Sequence, residues 1–438
     1  MQTKLTLSAA GALMLLTGAV AWAAEAKSPA TQPASTAATV IPPAKNTAEG
    51  LQRWRDMKFG IFLHWGAGAV GGKELSWSRQ TNRRKPAEYP PAVYDNFYKK
   101  FKAEKFNADE WASIIADSGA RYTVFVTKHH DGFCNWDTAI TDYKGTAKDC
   151  PFGRDAAMEL SQAVAKKGIM LGWYFSQRDW HDSDCMAQNY RAFAPKIRKQ
   201  IEELCGGKYG PIGVIWFDAA GPYPEGFWDG RRLFKRIYEL QPGCLINDRC
   251  GLPGDFSSLT RRVGDYDRTR AWESAIPITG GWSWRADAKP MSFEQCINAL
   301  IRCAGADGNL LLNIGPHPDG HIVAEEVAVL RKMGAWLGQY GTSIYKTRGG
   351  PYEPAEWGVA TCRENTIYLH VQKWPAEGKL TLPALKQKIT ASAALTGGKP
   401  AVEQTDKGLT VSLPKENQNA IDTIIELTLD GPAFDAAK

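Results

Sequence analysis

Nine cysteines are scattered through the 438-residue chain without one C-x-x-C pair, which removes the spacing used by zinc ribbons and dithiol redox sites. Their odd number leaves at least one thiol free. Some disulfides are compatible with an oxidising compartment, but most of these cysteines are expected to be small buried fillers. Charge is not gathered either: 53 Lys and Arg against 47 Asp and Glu give a net charge of +6, and short clusters such as Arg83-Arg84-Lys85 are the most that accumulates. A nucleic-acid binder concentrates positive charge on one face or tail, so no nucleic-acid partner is expected. The absence of a P-loop leaves a nucleotide-binding role without support, and no internal repeat is present. What the chain has in quantity is aromatic rings, with 16 Trp, 15 Tyr and 16 Phe. A soluble protein this rich in tryptophan often uses some of its rings to line a ligand pocket or stack on sugars. The length suits two or three ordinary domains, or one large barrel with a companion.

The N-terminus reads as a cleaved signal peptide over residues 1–23. Lys4 supplies a short positive start, Leu5 to Val20 a mostly apolar run broken by Ser8 and Thr17, and Ala21-Trp22-Ala23 a small-residue cleavage site. This predicts a secreted or periplasmic protein with no membrane attachment after cleavage. The first cysteine is Cys134, so a lipid anchor at the cut is not expected. Residues 24–47, rich in Ala, Pro, Ser and Thr, cannot support a packed core and are expected to form a disordered leader.

From residue 48 to 346, continuous apolar runs alternate with amphipathic stretches. The runs are 58–63, 122–126, 169–174, 212–217, 245–247 and 310–314. The helical patterns include one capped by Asn107 with Glu110 three residues on, and others near 155–167, 190–204, 228–240, 293–303 and 325–340. Continuous rather than alternating apolar strands, each followed by a helix, predict parallel strands buried on both faces, and six or more such units favour a (β/α)8 TIM-type barrel over an open sheet. From about Gly349 the pattern changes to short alternating stretches between Gly, Pro and Asn turns, which predicts an antiparallel β-sandwich over residues 347–438.

Polar chemistry gathers at the ends of the apolar runs. His64, His129, Tyr174, Asp218 and Arg249 all fall at or just beyond a C-terminal strand end, where barrel enzymes build their sites. His129 and His130 are adjacent, so both serve one ligand only if the strand is already turning into its loop. Asp218 closes the run Ile215-Trp216-Phe217-Asp218. An unpaired buried carboxylate costs several kcal/mol, so Asp218 is either hydrogen-bonded scaffolding or a working group. The company of His64, His129 and Arg249 favours the second.

The ordered series KFGIFLHWG, TKHHDGFCNWDTAITDY, GRDAAMELSQAVAKKGIMLGWYFS, WFD, INDR, AWESA and GNLLLNIGPHPDG resembles the α-L-fucosidases of glycoside hydrolase family 29 over nearly all of residues 50–345. The resemblance implies a barrel followed by a β-sandwich and hydrolysis of terminal α-L-fucosyl residues with retention. It implies an Asp nucleophile, which falls on Asp218, and a Glu acid/base, for which Glu273 of Trp-Glu-Ser is the choice, with Asp255 in reserve. Sugar contacts implied by the same matching are His64, His129, His130, Tyr174, Trp216 and Arg249, with Trp77 from the first loop and Trp284 against the sugar's methyl group. No cofactor and no metal are implied, and the expected partner is a fucosylated oligosaccharide or glycoconjugate. Where many members have Glu-Trp-Tyr, this chain has Ser76-Trp77-Ser78 with Glu74 two residues earlier, which opens the alternative of an α-L-glycosidase for another L-sugar, of L-galactose or L-glucose type; a fucose-binding homologue that has lost the acid/base is a second alternative. A metal-dependent hydrolase with His64, His129, His130 and Asp218 as ligands is the third reading, disfavoured because the adjacent histidines lack the usual ligand spacing.

Overall fold

Apolar stretches buried on both faces form eight parallel strands: β1 Phe59–Leu63, β2 Tyr122–Lys128, β3 Met170–Ser176, β4 Ile212–Asp218, β5 Leu245–Ile246, β6 Ser257–Thr260, β7 Trp272–Pro277 and β8 Asn309–Ile314. Every residue of β1, β2 and β8 is buried, as a strand covered by helices on one side and by barrel filling on the other requires. The sheet order is β5-β4-β3-β2-β1-β8-β7-β6, and a parallel bridge from Asn247 to Phe256 joins its two ends into a closed barrel. This computed structural model describes residues 46–79, 86–218 and 228–437; the expected signal peptide and all but the last two residues of the expected leader lie outside them.

Strands β6 and β7 escaped the apolar-run reading for a physical reason. Ser257-Ser258-Leu259-Thr260 is polar and half-buried throughout, and β7 carries Glu273 and Ser274 in its buried face. The helices follow their caps more closely. The Asn107 side chain accepts from the Glu110 N–H at the head of Ala108–Asp117, Asp155 from the Met158 N–H at the head of Ala156–Lys166, and Ser292 and Gln295 complete a capping box ahead of Phe293–Gly305. A further helix, Thr47–Met57, is capped by Asn46, so the last two residues of the expected leader belong to a capped helix.

Gly66-Ala67-Gly68-Ala69-Val70-Gly71 has the G-x-G-x-x-G spacing after a strand, yet it folds as a 3-10 turn over Ala67–Gly71 and opens no α-helix, the context a dinucleotide fingerprint requires. Its glycines serve packing: a Cβ on Gly68 would sit 1.9 Å from the Tyr94 hydroxyl and one on Gly71 2.7 Å from the Phe97 ring.

Beyond the barrel, strands β9 Arg348–Gly349, β10 Gly358–Arg363, β11 Thr366–Val371, β13 Ile389–Ala394 and β16 Thr423–Leu429 make a five-stranded sheet, and β12 Lys379–Leu382, β14 Ala401–Thr405 and β15 Gly408–Ser412 a three-stranded one. All pairs are antiparallel, and Leu369, Ile425 and Leu427 of one sheet share a core with Leu380, Leu409 and Val411 of the other. At the seam with the barrel, buried Asp307 takes Arg348 at 2.6 Å, Arg55 at 2.7 Å and the Gly349 N–H at 2.7 Å, with the Lys58 ammonium 3.8 Å away. All nine cysteines are buried and unpaired, so no disulfide forms. Among the described residues no helix is long and apolar enough to cross a membrane.

Candidate active site

Asp218 is the last residue of β4, and its register partner on β3 is Ser176, so its carboxylate stands at the C-terminal mouth of the barrel. The Arg249 guanidinium grips Oδ1 through Nε at 3.1 Å and a terminal nitrogen at 2.8 Å. On the other side the Tyr174 hydroxyl donates to Oδ2 at 3.0 Å, and His130 Nε2 lies 3.7 Å from the same oxygen. Arg249 also lies 5.3 Å over the Trp216 ring, which stacks on Tyr174 at 5.6 Å. A guanidinium fixed on one carboxylate oxygen holds the negative charge while leaving the other oxygen with a free lone pair.

The pocket around Asp218 is lined by Phe62, His64, Trp77, His129, His130, Tyr174, Arg178, Trp216, Arg249, Thr260, Arg261 and Trp282. Eight of the ten residues singled out from the sequence thus come together here. Asp218 is the one carboxylate among these lining residues.

Three histidines face the pocket, and their partners fix the tautomers. Ser76 Oγ accepts the Asp131 N–H at 2.9 Å and lies 2.6 Å from His129 Nδ1. Ser176 Oγ accepts the Arg178 N–H at 3.0 Å and lies 2.7 Å from His130 Nδ1. With each hydroxyl using one lone pair on that N–H and giving its proton to the imidazole, both rings carry hydrogen on Nε2. His64 is set the other way. The Asn313 amide donates to the Trp282 carbonyl at 2.7 Å, which turns its oxygen toward His64 Nδ1 at 2.5 Å and leaves His64 Nε2 bare. Burial lowers His64 to about 3 and holds His129 and His130 well below the ordinary histidine value. The pocket therefore presents two neutral N–H donors and one neutral acceptor, a pattern suited to hydroxyl groups. The charge on Asp218 is balanced by Arg249 rather than by the histidines.

Ser76 accounts for the departure from Glu-Trp-Tyr. It is fully buried, adopts φ +59°, and points away from the pocket to hold His129, while its own N–H donates to Tyr94, whose hydroxyl donates to Asp131. Trp77 remains at the pocket, with its ring 5.3 Å from His130.

Two expected residues are elsewhere. Glu273 is the second residue of β7, four residues before the strand's end at Pro277. At 3.3 Å per residue that is about 13 Å along the strand, below the mouth. Its Oε2 takes the Tyr122 hydroxyl at 2.5 Å and its Oε1 the Trp216 indole N–H at 3.0 Å, and it is 1% exposed. Trp216, which binds it, lines the pocket, and Glu273 itself does not. Trp284 does not line the pocket; its ring meets His317 edge-on at 4.4 Å. The neighbouring Trp282 takes the inward place, 5.0 Å from His64, with Arg261 5.0 Å over its face. Asp255 is scaffolding: its Oδ2 accepts from Tyr238 at 2.9 Å and the Ile246 N–H at 2.7 Å. Arg178, Thr260 and Arg261 were not foreseen: Arg178 lies two residues beyond β3, and Thr260 and Arg261 end and follow β6, which has no apolar run.

The α-L-fucosidase family model matches residues 28–342. This chain belongs to the α-L-fucosidase family. The plasma α-L-fucosidase of Rattus norvegicus is 31% identical over 409 residues, covering 83% of this chain and 88% of its own length. Among solved structures, α-L-fucosidase isoenzyme 1 from Paenibacillus thiaminolyticus superposes with a TM-score of 0.79 at 29% identity, over 88% of this chain and 99% of that one. A family 29 α-L-fucosidase of Bacteroides thetaiotaomicron, trapped as a covalent intermediate with 2-fluoro-fucosyl fluoride, has a TM-score of 0.76 at 26% identity, covering 91% and 99%. As an α-L-fucosidase family member the chain is a glycoside hydrolase.

Proposed function

We propose that this hydrolase cleaves terminal α-L-fucosyl residues from glycans with retention, through a fucosyl ester on Asp218. The observation that carries the reading is the Asp218 carboxylate at the barrel mouth, held on one oxygen by Arg249 and on the other by Tyr174. Asp218 Oδ2 attacks the anomeric carbon as the glycosidic bond breaks, and water later releases the sugar from the same atom. His64, His129, His130, Trp77 and Arg249 bind the hydroxyls and ring, and Trp282 with Phe62 offers an apolar wall for the methyl group, the role first given to Trp284.

For the acid/base we propose Glu74. It is half-buried, its Oε1 accepts the Trp282 N–H at 2.9 Å and the Ser283 N–H at 3.3 Å, and burial raises its carboxyl above the ordinary glutamate value against the opposing pull of these hydrogen bonds and of Arg261. A raised carboxyl beside two pocket-lining residues suits a group that must protonate a leaving oxygen. We further infer export after cleavage at Ala23, supported by the N-terminal charge and apolar pattern, and a division at 346/347 between barrel and sandwich, supported by the change from parallel to antiparallel pairing.

The test is hydrolysis of a panel of aryl glycosides of α-L-fucose, α-L-galactose, α-L-glucose and β-D-galactose, with the first-formed anomer read by proton NMR. The proposal expects the α-L-fucoside to be preferred and the α-anomer to form first; formation of the β-anomer first would refute retention. Glu74→Ala is expected to slow a fucosyl disaccharide far more than an activated aryl fucoside, and equal slowing of both would remove Glu74 from the acid/base role.

A further inference from the structure

The loop between β8 and the helix Ala324–Tyr340 carries His317, Asp319 and His321, none of which the hydrolytic reading uses. One ligand atom from each lies within 4.8 Å of the others. His317 Nδ1 is 2.9 Å and His321 Nδ1 2.5 Å from the same carboxylate oxygen, Asp319 Oδ1, which also accepts the His321 N–H at 3.2 Å. Lys105 takes Asp319 Oδ2 at 2.9 Å, so Oδ1 is the oxygen turned toward the two imidazoles. The loop is held by its backbone: the His317 N–H donates to the His321 carbonyl at 2.9 Å, and the His317 carbonyl accepts the Gly320 N–H at 2.8 Å and the buried Trp65 indole N–H at 3.0 Å.

His317 Nδ1 lies 2.9 Å from Oδ1 and within 3.2 Å of the Asp319 N–H, so both imidazoles converge on one carboxylate oxygen. A cation placed among these three ligand atoms would take the place of the protons that now join them.

We propose that His317, Asp319 and His321 bind a divalent transition-metal ion, Zn2+ by preference. Two imidazoles and one carboxylate are a borderline-soft donor set of the kind zinc takes with a solvent molecule in the fourth position. His317 and His321 are about one-third exposed, which leaves that fourth position open to water. On binding, His321 Nδ1 releases the proton it shares with Asp319, and His317 Nδ1 exchanges the Asp319 N–H for the ion, with Asp319 Oδ1 as a single-oxygen ligand. The ion would tie the loop together and fix the His317 ring against Trp284, 4.4 Å away.

The test is calorimetric titration of Zn2+ into the full-length protein after chelator treatment and buffer exchange, with His317→Ala, His321→Ala and the double variant beside it. The expected result is one equivalent in the wild type, affinity weakened at least about tenfold in each single variant, and no binding in the double variant. Thermal melts without zinc check that each variant folds, and His317→Gln with His321→Asn replaces any alanine variant that does not. Absence of binding in the wild type, or a zinc site that all variants retain, would overturn the proposal. The readout is binding alone, so its failure is distinct from failure of the fucosidase reading.

Discussion

Replacing Glu273 by Gln separates the two roles open to that residue. Burial raises its carboxyl from 4.5 to about 7 against the opposing hydrogen bonds from Tyr122 and Trp216. The native state therefore keeps a proton that the unfolded chain releases above pH 4.5. Stability from this group is fully present below pH 4.5 and is lost as pH rises to about 7, beyond which it is level. A shift of about 2.5 pH units at 1.36 kcal/mol each is about 3 kcal/mol. Gln preserves the shape, accepting from Trp216 and donating to the Tyr122 oxygen, and carries no titrating proton. The stability of Glu273→Gln relative to wild type should thus rise by about 3 kcal/mol between pH 4.5 and 8, read from denaturant unfolding at a series of pH values. Its kcat/KM on an aryl α-L-fucoside should stay within about tenfold of wild type, because the group lies beneath Trp216 and not in the pocket. Removal of a general acid costs on the order of a hundred- to ten-thousandfold. A loss of that size, with azide restoring turnover as a retained fucosyl azide, would refute the buried placement and return Glu273 to the acid/base role.

Trp282→Ala should weaken fucoside hydrolysis more than Trp284→Ala, since one ring lines the pocket and the other meets His317; the reverse order in kcat/KM would contradict the site. Ser76→Ala removes the proton donated to His129 Nδ1, and the loss of one such hydrogen bond, about 1 kcal/mol, should lower kcat/KM about fivefold, with Ser76→Thr measured beside it. Asp307→Ala strands Arg55, Lys58 and Arg348 at the seam of barrel and sandwich, and should destabilise by about 3–5 kcal/mol in thermal or denaturant unfolding.

Much of the barrel was legible because its strands are buried on both faces. β1, β2, β3, β4, β5 and β8 announce themselves as apolar runs, and a functional side chain at the end of such a run has one natural place to be. That logic located His64, His129, Tyr174, Asp218 and Arg249. It failed at β7, where Trp-Glu-Ser has no apolar run to mark its depth: a motif gives the identity of Glu273 but not its height along the strand, and height decides whether a carboxylate meets substrate or the barrel floor. Trp282 and Trp284 differ by two residues in a loop, where alternation no longer tells inward from outward. The role of Ser76 was hidden for another reason. A missing carboxylate reads as lost contact with substrate, whereas the serine is a support for His129, and that relation joins residues 53 positions apart.

In the proposed reaction Asp218 forms the covalent bond to the sugar. Incubation with 2-deoxy-2-fluoro-α-L-fucosyl fluoride, followed by proteolysis and peptide mass spectrometry, tests it most directly. The account predicts a single fluorofucosyl adduct on Asp218 and its loss in Asp218→Gly. A label on Glu74, Glu273 or any other residue, or turnover without an adduct and with inverted configuration, would contradict it.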